Sequence, residues 1–352
     1  MNKLIQLLFI TMMMNTAKSQ TPGQIKQIDS LMQSANLRGV FNGNILVAQK
    51  DKIIYKKSWG FADASKNKLL NIDLLFDIGS ISKEFNGVSI MLLKEQGKLK
   101  LDDPISKFLP DLPEWSKNVQ IKHLINYTSG IPNFVAQSDE TDEELMDYLK
   151  NLKALSFEPG TAYIYAHGNV YLQKRIIEKI SGLSYANFVS KYILKPNNMS
   201  HTIIDADLSS PDVAKAFDNE FKPTSFIQVT TGFPRISIND LYQFIRSLEN
   251  FKIMNQESFN QLSDNFPGGE SSLGSTVFEN ERLKSHRHQG SNSGYEALIY
   301  TDHILGIDVI IETNNQNFKV DAIKNAIFAI LQNQTYTVPK KSVYLDIRDK
   351  VL

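Results

Sequence analysis

A serine followed three residues later by a lysine, Ser80 and Lys83, is the pair in this chain best placed to do chemistry. A serine hydroxyl is a weak nucleophile until a neighbouring base takes its proton. Residues i and i+3 share one face of a helix, so the amine of Lys83 can reach the Ser80 hydroxyl. The unpaired backbone N–H groups at a helix start also favour negative charge. An amine crowded by those dipoles and partly desolvated gives up its proton more readily. As a structural residue Lys83 is misplaced. A first turn prefers Asp or Glu, and a capping box would put Glu or Gln three residues after the serine. A local rule broken in this way points to function. The spacing does not decide by itself, because Ser65 and Lys68 repeat it in a segment that reads as a loop. A helix-capping serine followed by a solvated lysine is the plain alternative.

The elements that must position this pair follow from hydrophobic periodicity. Ile81, Phe85, Val88 and Leu92 form a helical stripe after Phe76-Asp77-Ile78-Gly79, and Gln96-Gly97 closes it. Gly43 to Ala48 and Lys52 to Ser58 are β-rich runs joined at Lys50-Asp51 as a hairpin. Beyond Leu101-Asp102-Asp103-Pro104 comes a stretch of helices and loops. It includes a capping box at Thr141 to Glu144 and a turn at Pro159-Gly160-Thr161. A further helix runs from about Gly168 to Ser181, closed by Gly182. Strands return at Arg282 to His288, Glu296 to Thr301 and Leu305 to Glu312, with Gly290 and Gly294 as interruptions, before a helix from Val320 to Leu331. Strands at both ends with helices between predict an α/β fold: one antiparallel sheet flanked by helices, with a helical subdomain inserted over about residues 81–219.

The 352 residues carry 38 basic and 38 acidic side chains, which argues against nucleic acid or an anionic membrane as a main partner. There is no cysteine, and so no disulfide, thiolate metal site or lipid-bearing thiol. Lys3, the apolar run Leu4 to Met14 and Ala17-Lys18-Ser19 read as an export signal cleaved after Ser19, giving a periplasmic or secreted protein. The run is short of the ~20 residues that span a bilayer, so its removal leaves no transmembrane segment. Residues 20–338 would then form one domain and 339–352 a tail. In the tail, Val343, Tyr344, Ile347 and Val351 follow an amphipathic helical pattern.

Three blocks succeed one another: Phe76 to Lys83, Gln96-Gly97-Lys98-Leu99-Lys100-Leu101-Asp102-Asp103-Pro104, and Thr128-Ser129-Gly130-Ile131-Pro132. Together they resemble the serine hydrolases related to class C β-lactamases, D-alanyl-D-alanine carboxypeptidases and β-lactamase-like esterases. The resemblance spans about Gly43 to Asn314 and implies three active-site motifs. Ser80 and Lys83 would be the nucleophile and its lysine. Tyr165-Ala166-His167 takes the place of Tyr-x-Asn, so Tyr165 would be the general acid and base, and His167, replacing an asparagine, would meet substrate. His288-Gln289-Gly290 would be the third motif, usually Lys-Thr-Gly or His-x-Gly, with all three residues meeting substrate. The N–H groups of Ser80 and Ser291 would form the oxyanion hole. A second departure lies at Asn126-Tyr127-Thr128-Ser129-Gly130, where many relatives have histidine before Thr-Ser-Gly, and Asp240, Leu241 and Phe244 match a further family helix. Both read as structural.

The implied activity is acyl transfer to water, with a small-molecule, peptide or ester substrate and no cofactor. A third-motif lysine would offer charge to a substrate carboxylate. His288 does so less well, which favours an ester or D-Ala-D-Ala-type peptide or amide over efficient β-lactam turnover. The rival reading is a binding or sensor protein of the same fold that has lost turnover. His286 and His288 share one strand face, but two histidines without a third ligand make a poor zinc site. Protonation of His167, at about pH 6.5 for an unperturbed imidazole, would add charge beside Lys83 and reduce activity.

Overall fold

The computed structural model describes residues 22–133, 141–205, 210–224 and 232–341. The expected export signal and the tail residues Val343 to Val351 lie outside them. The described chain begins with helix α1 (Pro22–Leu37), whose Ile28, Leu31, Met32 and Ala35 are buried. Strands β1 (Gly43–Gln49) and β2 (Lys52–Trp59) form the expected hairpin. Lys50 and Asp51 turn it at φ of 50° and 64°, the left-handed pair that a two-residue hairpin with this twist requires. The short β3 (Phe76–Asp77) passes through one 3-10 turn, Gly79–Ser82, into α2 (Lys83–Glu95). Ser80 therefore stands in that turn, three residues before the α-helix begins at Lys83, and not at its N-cap, which is Ser82.

Helices α3 (Ile121–Ile125), α4 (Asp142–Asn151), α5 (His167–Ser181) and α6 (Tyr185–Val189) build a layer beside α2. Strands β4 (Thr202–Ile204) and β5 (Pro234–Ile236) join β3 in a small sheet ordered β3-β5-β4. Then follow α7 (Ile238–Glu249), α8 (Gln256–Leu262), β6 (Ser275–Glu279), β7 (Arg282–Asn292), β8 (Tyr295–Asp302), β9 (Ile307–Thr313) and α9 (Val320–Leu331). The main sheet is antiparallel throughout, in the order β2-β1-β9-β8-β7-β6. The first hairpin and the last strands thus meet, as expected for a sheet built from the two ends of the chain.

Both faces of the sheet are covered, so its central strands read as nearly continuous apolar runs without alternation. Ile45, Val47, Leu298, Val309 and Ile311 belong to the core that also contains α1 and α9. Leu46, Ala48, Ala297, Ile299 and Ile310 share the other core with Ile81, Phe85 and Val88. In that core the rings of Phe85 and Phe244 stack with centroids 4.1 Å apart. Asp240 and Leu241 stand on the same helix as Phe244, consistent with the structural reading of that segment. Helix α2 is enclosed on nearly every side, and Lys83 and Glu84 are among its buried residues. The chemistry-bearing end of this helix is fixed by the same packing that makes the core.

Candidate active site

The turn that carries Ser80 is held from three directions. Gly79 has φ of +53°, a left-handed conformation that is easy only for glycine. Its N–H donates to Asp77 Oδ1 at 2.7 Å. Asp77 Oδ2 accepts from Asn292 Nδ2 at 3.0 Å and lies 3.2 Å from Arg235 Nη1. Asp77 and Arg235 are both buried, so the turn is tied to β5 by a charge pair that water screens little, and to the end of β7 by the Asn292 hydrogen bond. Ser80 remains partly exposed, while Lys83 is only 2% exposed. Lys83 Nζ donates to Ser80 Oγ at 3.1 Å and lies 5.1 Å from the Tyr165 ring and 5.7 Å from the Phe233 ring.

Tyr165 comes from just before α5, and its hydroxyl donates to Ser80 Oγ at 2.8 Å. The Tyr127-Thr128-Ser129-Gly130 segment places it. Ile164 N–H donates to the Tyr127 carbonyl at 3.0 Å, and the Tyr127 and Tyr165 rings lie 5.0 Å apart. Asn169 accepts from Ser129 Oγ and donates to the Ala166 carbonyl at 3.2 Å, holding the backbone next to Tyr165. Asn126 accepts from Thr128 Oγ1 at 2.7 Å, a contact within its own loop. His167 opens α5 and is partly buried. Burial, followed by the charge of Lys83, lowers its pKa from the ordinary 6.5 to about 4, so it is neutral at pH 7.

Strand β7 runs four residues past its predicted end at His288, to Asn292. Gly290 does not break it; the residue pairs with Ala297, and its bare Cα lets the nucleophile turn lie against the strand. A methyl group there would overlap the Ile78 carbonyl and lie 2.6 Å from the Ser80 amide nitrogen. A side chain on Gly79 would likewise overlap the Ser291 amide. The backbone nitrogens of Ser80 and Ser291 thus lie at one tight contact between the turn and the strand.

The other third-motif residues are placed differently from expectation. His288 is 2% exposed, and its Nδ1 lies 2.8 Å from Glu84 Oε1. Gln289 points to the opposite face of the sheet, as strand alternation dictates. There it donates to Glu296 Oε1 at 2.7 Å and accepts from Arg287 Nη2 at 2.6 Å. The structure therefore brings Ser80, Lys83, Tyr165, His167 and the Ser291 amide together. Gly290 acts as a spacer, His288 lies behind the site, and Gln289 lies away from it.

Residues 25–342 match the family described as Beta-lactamase. The chain belongs to the beta-lactamase family. A penicillin-binding protein of Bacillus subtilis (strain 168) is 28% identical over 357 aligned residues, covering 90% of this chain and 78% of that protein. A class C beta-lactamase structure superposes with a TM-score of 0.75 at 18% identity, covering 91% of this chain and 99% of that one. The D-amino acid amidase of Ochrobactrum anthropi SV3 superposes with a TM-score of 0.73 at 20% identity, covering 88% and 99%. This is a family of beta-lactamase-fold serine hydrolases. Against its usual second motif, the histidine at His167 is the departure that feels the charge of Lys83. Asp77, Asn292 and Glu84 were given no role from sequence, since each acts through a partner far away in the chain.

Proposed function

We propose that the protein is a serine hydrolase that transfers an acyl group to water through an ester on Ser80 Oγ. One observation carries this reading: Ser80 Oγ accepts hydrogen bonds from both Tyr165, at 2.8 Å, and Lys83, at 3.1 Å. For attack, the Tyr165 hydroxyl proton moves onto Lys83 Nζ and the Ser80 proton moves onto the Tyr165 oxygen thus freed. The Ser80 and Ser291 N–H groups hold the tetrahedral oxyanion. The leaving group departs with the proton from Tyr165, and water then repeats the sequence to free the acid. The substrate class is an ester or a D-Ala-D-Ala-type peptide or amide, with β-lactams as possible ligands. With residues 1–19 read as an export signal, the site of action is periplasmic or extracellular.

Intact-mass analysis after exposure to a serine-directed fluorophosphonate tests the reading. A single adduct mapped to Ser80 and absent from Ser80→Ala is expected, and Tyr165→Phe should slow ester turnover ~10²–10⁴-fold. An adduct on Ser65 would sink the assignment. No adduct on folded protein would favour the rival, a binding or sensor protein without turnover.

A further inference from the structure

One buried side chain holds the neighbours of both amides that the proposed mechanism sets against the oxyanion. Asp77, the last residue of β3, is 0% exposed and stands three positions before Ser80. Its Oδ1 accepts from the Gly79 N–H at 2.7 Å, a bond two residues along the chain that fixes the approach to Ser80. Its Oδ2 accepts from Asn292 Nδ2 at 3.0 Å, and Asn292 follows Ser291. Asp77 is also the cross-strand partner of Arg235 on β5, whose Nη1 lies 3.2 Å from the same Oδ2. Opposite charges directly across a strand pair hold each other in place, so the carboxyl group is itself anchored.

The end of β7 needs such a hold. Strand β6 pairs with Arg282 to Arg287 only, so from His288 to Asn292 the strand has β8 as its one sheet neighbour among the described residues. Gly79 and Gly290 let turn and strand approach, but a bare Cα removes a clash without setting a distance. We propose that Asp77 is a positioning residue: by holding Gly79 with one oxygen and Asn292 with the other, it sets the separation of the Ser80 and Ser291 amides and so the fit of the oxyanion hole. The proposal rests on the acyl-transfer reading above.

Fully buried, Asp77 acts through these neighbours and not by touching substrate. Besides Arg235, Tyr295 of β8 faces it. Burial, followed by the Asp77 charge, pushes the Tyr295 phenol up, and its hydroxyl donates to the Ala214 carbonyl at 2.6 Å. Neither group competes with Gly79 or Asn292 for the carboxyl oxygens by removing their donors. Catalytic donors work only when held within roughly 0.5 Å of the productive geometry, so a small slip at Asn292 is felt at Ser291. Acylation and deacylation both pass through a tetrahedral oxyanion. A loosened hole therefore slows both steps, lowering kcat and leaving KM nearly as it was.

Asn292 is the arm to cut, since Asp77→Ala would take from buried Arg235 its acid on β3 and endanger the fold. Asn292→Ala leaves the Arg235 pair and the Gly79 bond in place. With p-nitrophenyl acetate its kcat should fall about ten- to a hundredfold, short of the ~10²–10³-fold lost with a whole oxyanion donor, while KM changes little. Asn292→Asp puts a second carboxyl group against Asp77. Ionised, it repels; protonated, it donates as the amide did, and a like-charged neighbour favours the protonated form. Its kcat relative to wild type should therefore rise as pH is lowered from about 8 to about 5. The proposal is overturned by unchanged kcat in folded Asn292→Ala, even with a lower melting temperature, or by a loss carried mainly in KM. A relative kcat of Asn292→Asp that does not rise with acid overturns it as well, and decides alone should Asn292→Ala not fold. No ester turnover by wild type, together with no phosphonate adduct on Ser80, would overturn the hydrolase reading itself.

Discussion

His167 shows how one residue's surroundings reset its chemistry. In water an imidazole would charge near pH 6.5 and disturb Lys83; here burial and the Lys83 charge keep it neutral down to about 4. The acid limb expected from sequence therefore moves. The pH profile of kcat/KM for an ester should show no His167-dependent fall near 6.5, and His167→Asn should change the profile only towards about 4. A limb near 6.5 that vanishes in His167→Asn would mean that the imidazole is solvated and turned out of the site. Ser80 and Lys83 were legible in the sequence because only three positions separate them, just where a helical stripe begins. Tyr165 was not legible from spacing, as 85 positions part it from Ser80, and only the family resemblance supplied it. Glu84 gave no sign at all. Read alone it is an ordinary acid in a first turn, and its partner His288 is 204 positions away.

Between elements, the decisive contact joins β7 to the turn before α2, where glycines at positions 79 and 290 remove the side chains that would hold them apart. Gly290→Ala should force that contact open, since its methyl would lie 2.6 Å from the Ser80 amide nitrogen. Overpacking of this kind costs ~1–3 kcal/mol, seen as a lower melting temperature. Displacement of an oxyanion donor should lower kcat ~10²–10³-fold with little change in KM. Unaltered kcat in the folded variant would take the Ser291 amide out of the mechanism. Periodicity found α2, α5, α9 and the central strands, whose apolar positions recur cleanly. It ended β7 early because a glycine that enables close packing looks the same in sequence as one that breaks a strand. It also missed β6, an edge strand whose partly exposed residues carry little apolar signal. The Ile28, Leu31, Met32 and Ala35 stripe of α1 was readable and could have been found.

For the whole molecule, a buried column of carboxylates and imidazoles, Glu84 and Glu249 with His286 and His288, makes stability depend on pH in two windows. Burial would lower the pKa of His286, but Glu84 and Glu249 raise it from 6.5 to about 10. Its contribution is complete below pH 6.5 and is lost as pH rises through about 10. Burial would raise Glu249, but His286 and His303 lower it from 4.5 to about 2, so its contribution is complete above 4.5 and is lost as pH falls through about 2. Melting temperature should therefore decline on both sides of a plateau near neutrality. His286→Gln should flatten the alkaline side, and an unchanged alkaline slope would remove His286 as its source. The closing of the sheet carries a consequence for how the protein is made. Strand β1 leaves the ribosome early, yet β9, its second neighbour, is among the last elements completed. Folding of the central sheet must wait for that strand, the slow course expected when pairings are remote along the chain. Ser80 is synthesised in the first third of the chain, but Ser291, whose amide the proposed mechanism sets against the oxyanion, belongs to the last. On that proposal a nascent chain carries Ser80 for most of its synthesis before the other half of its oxyanion site exists.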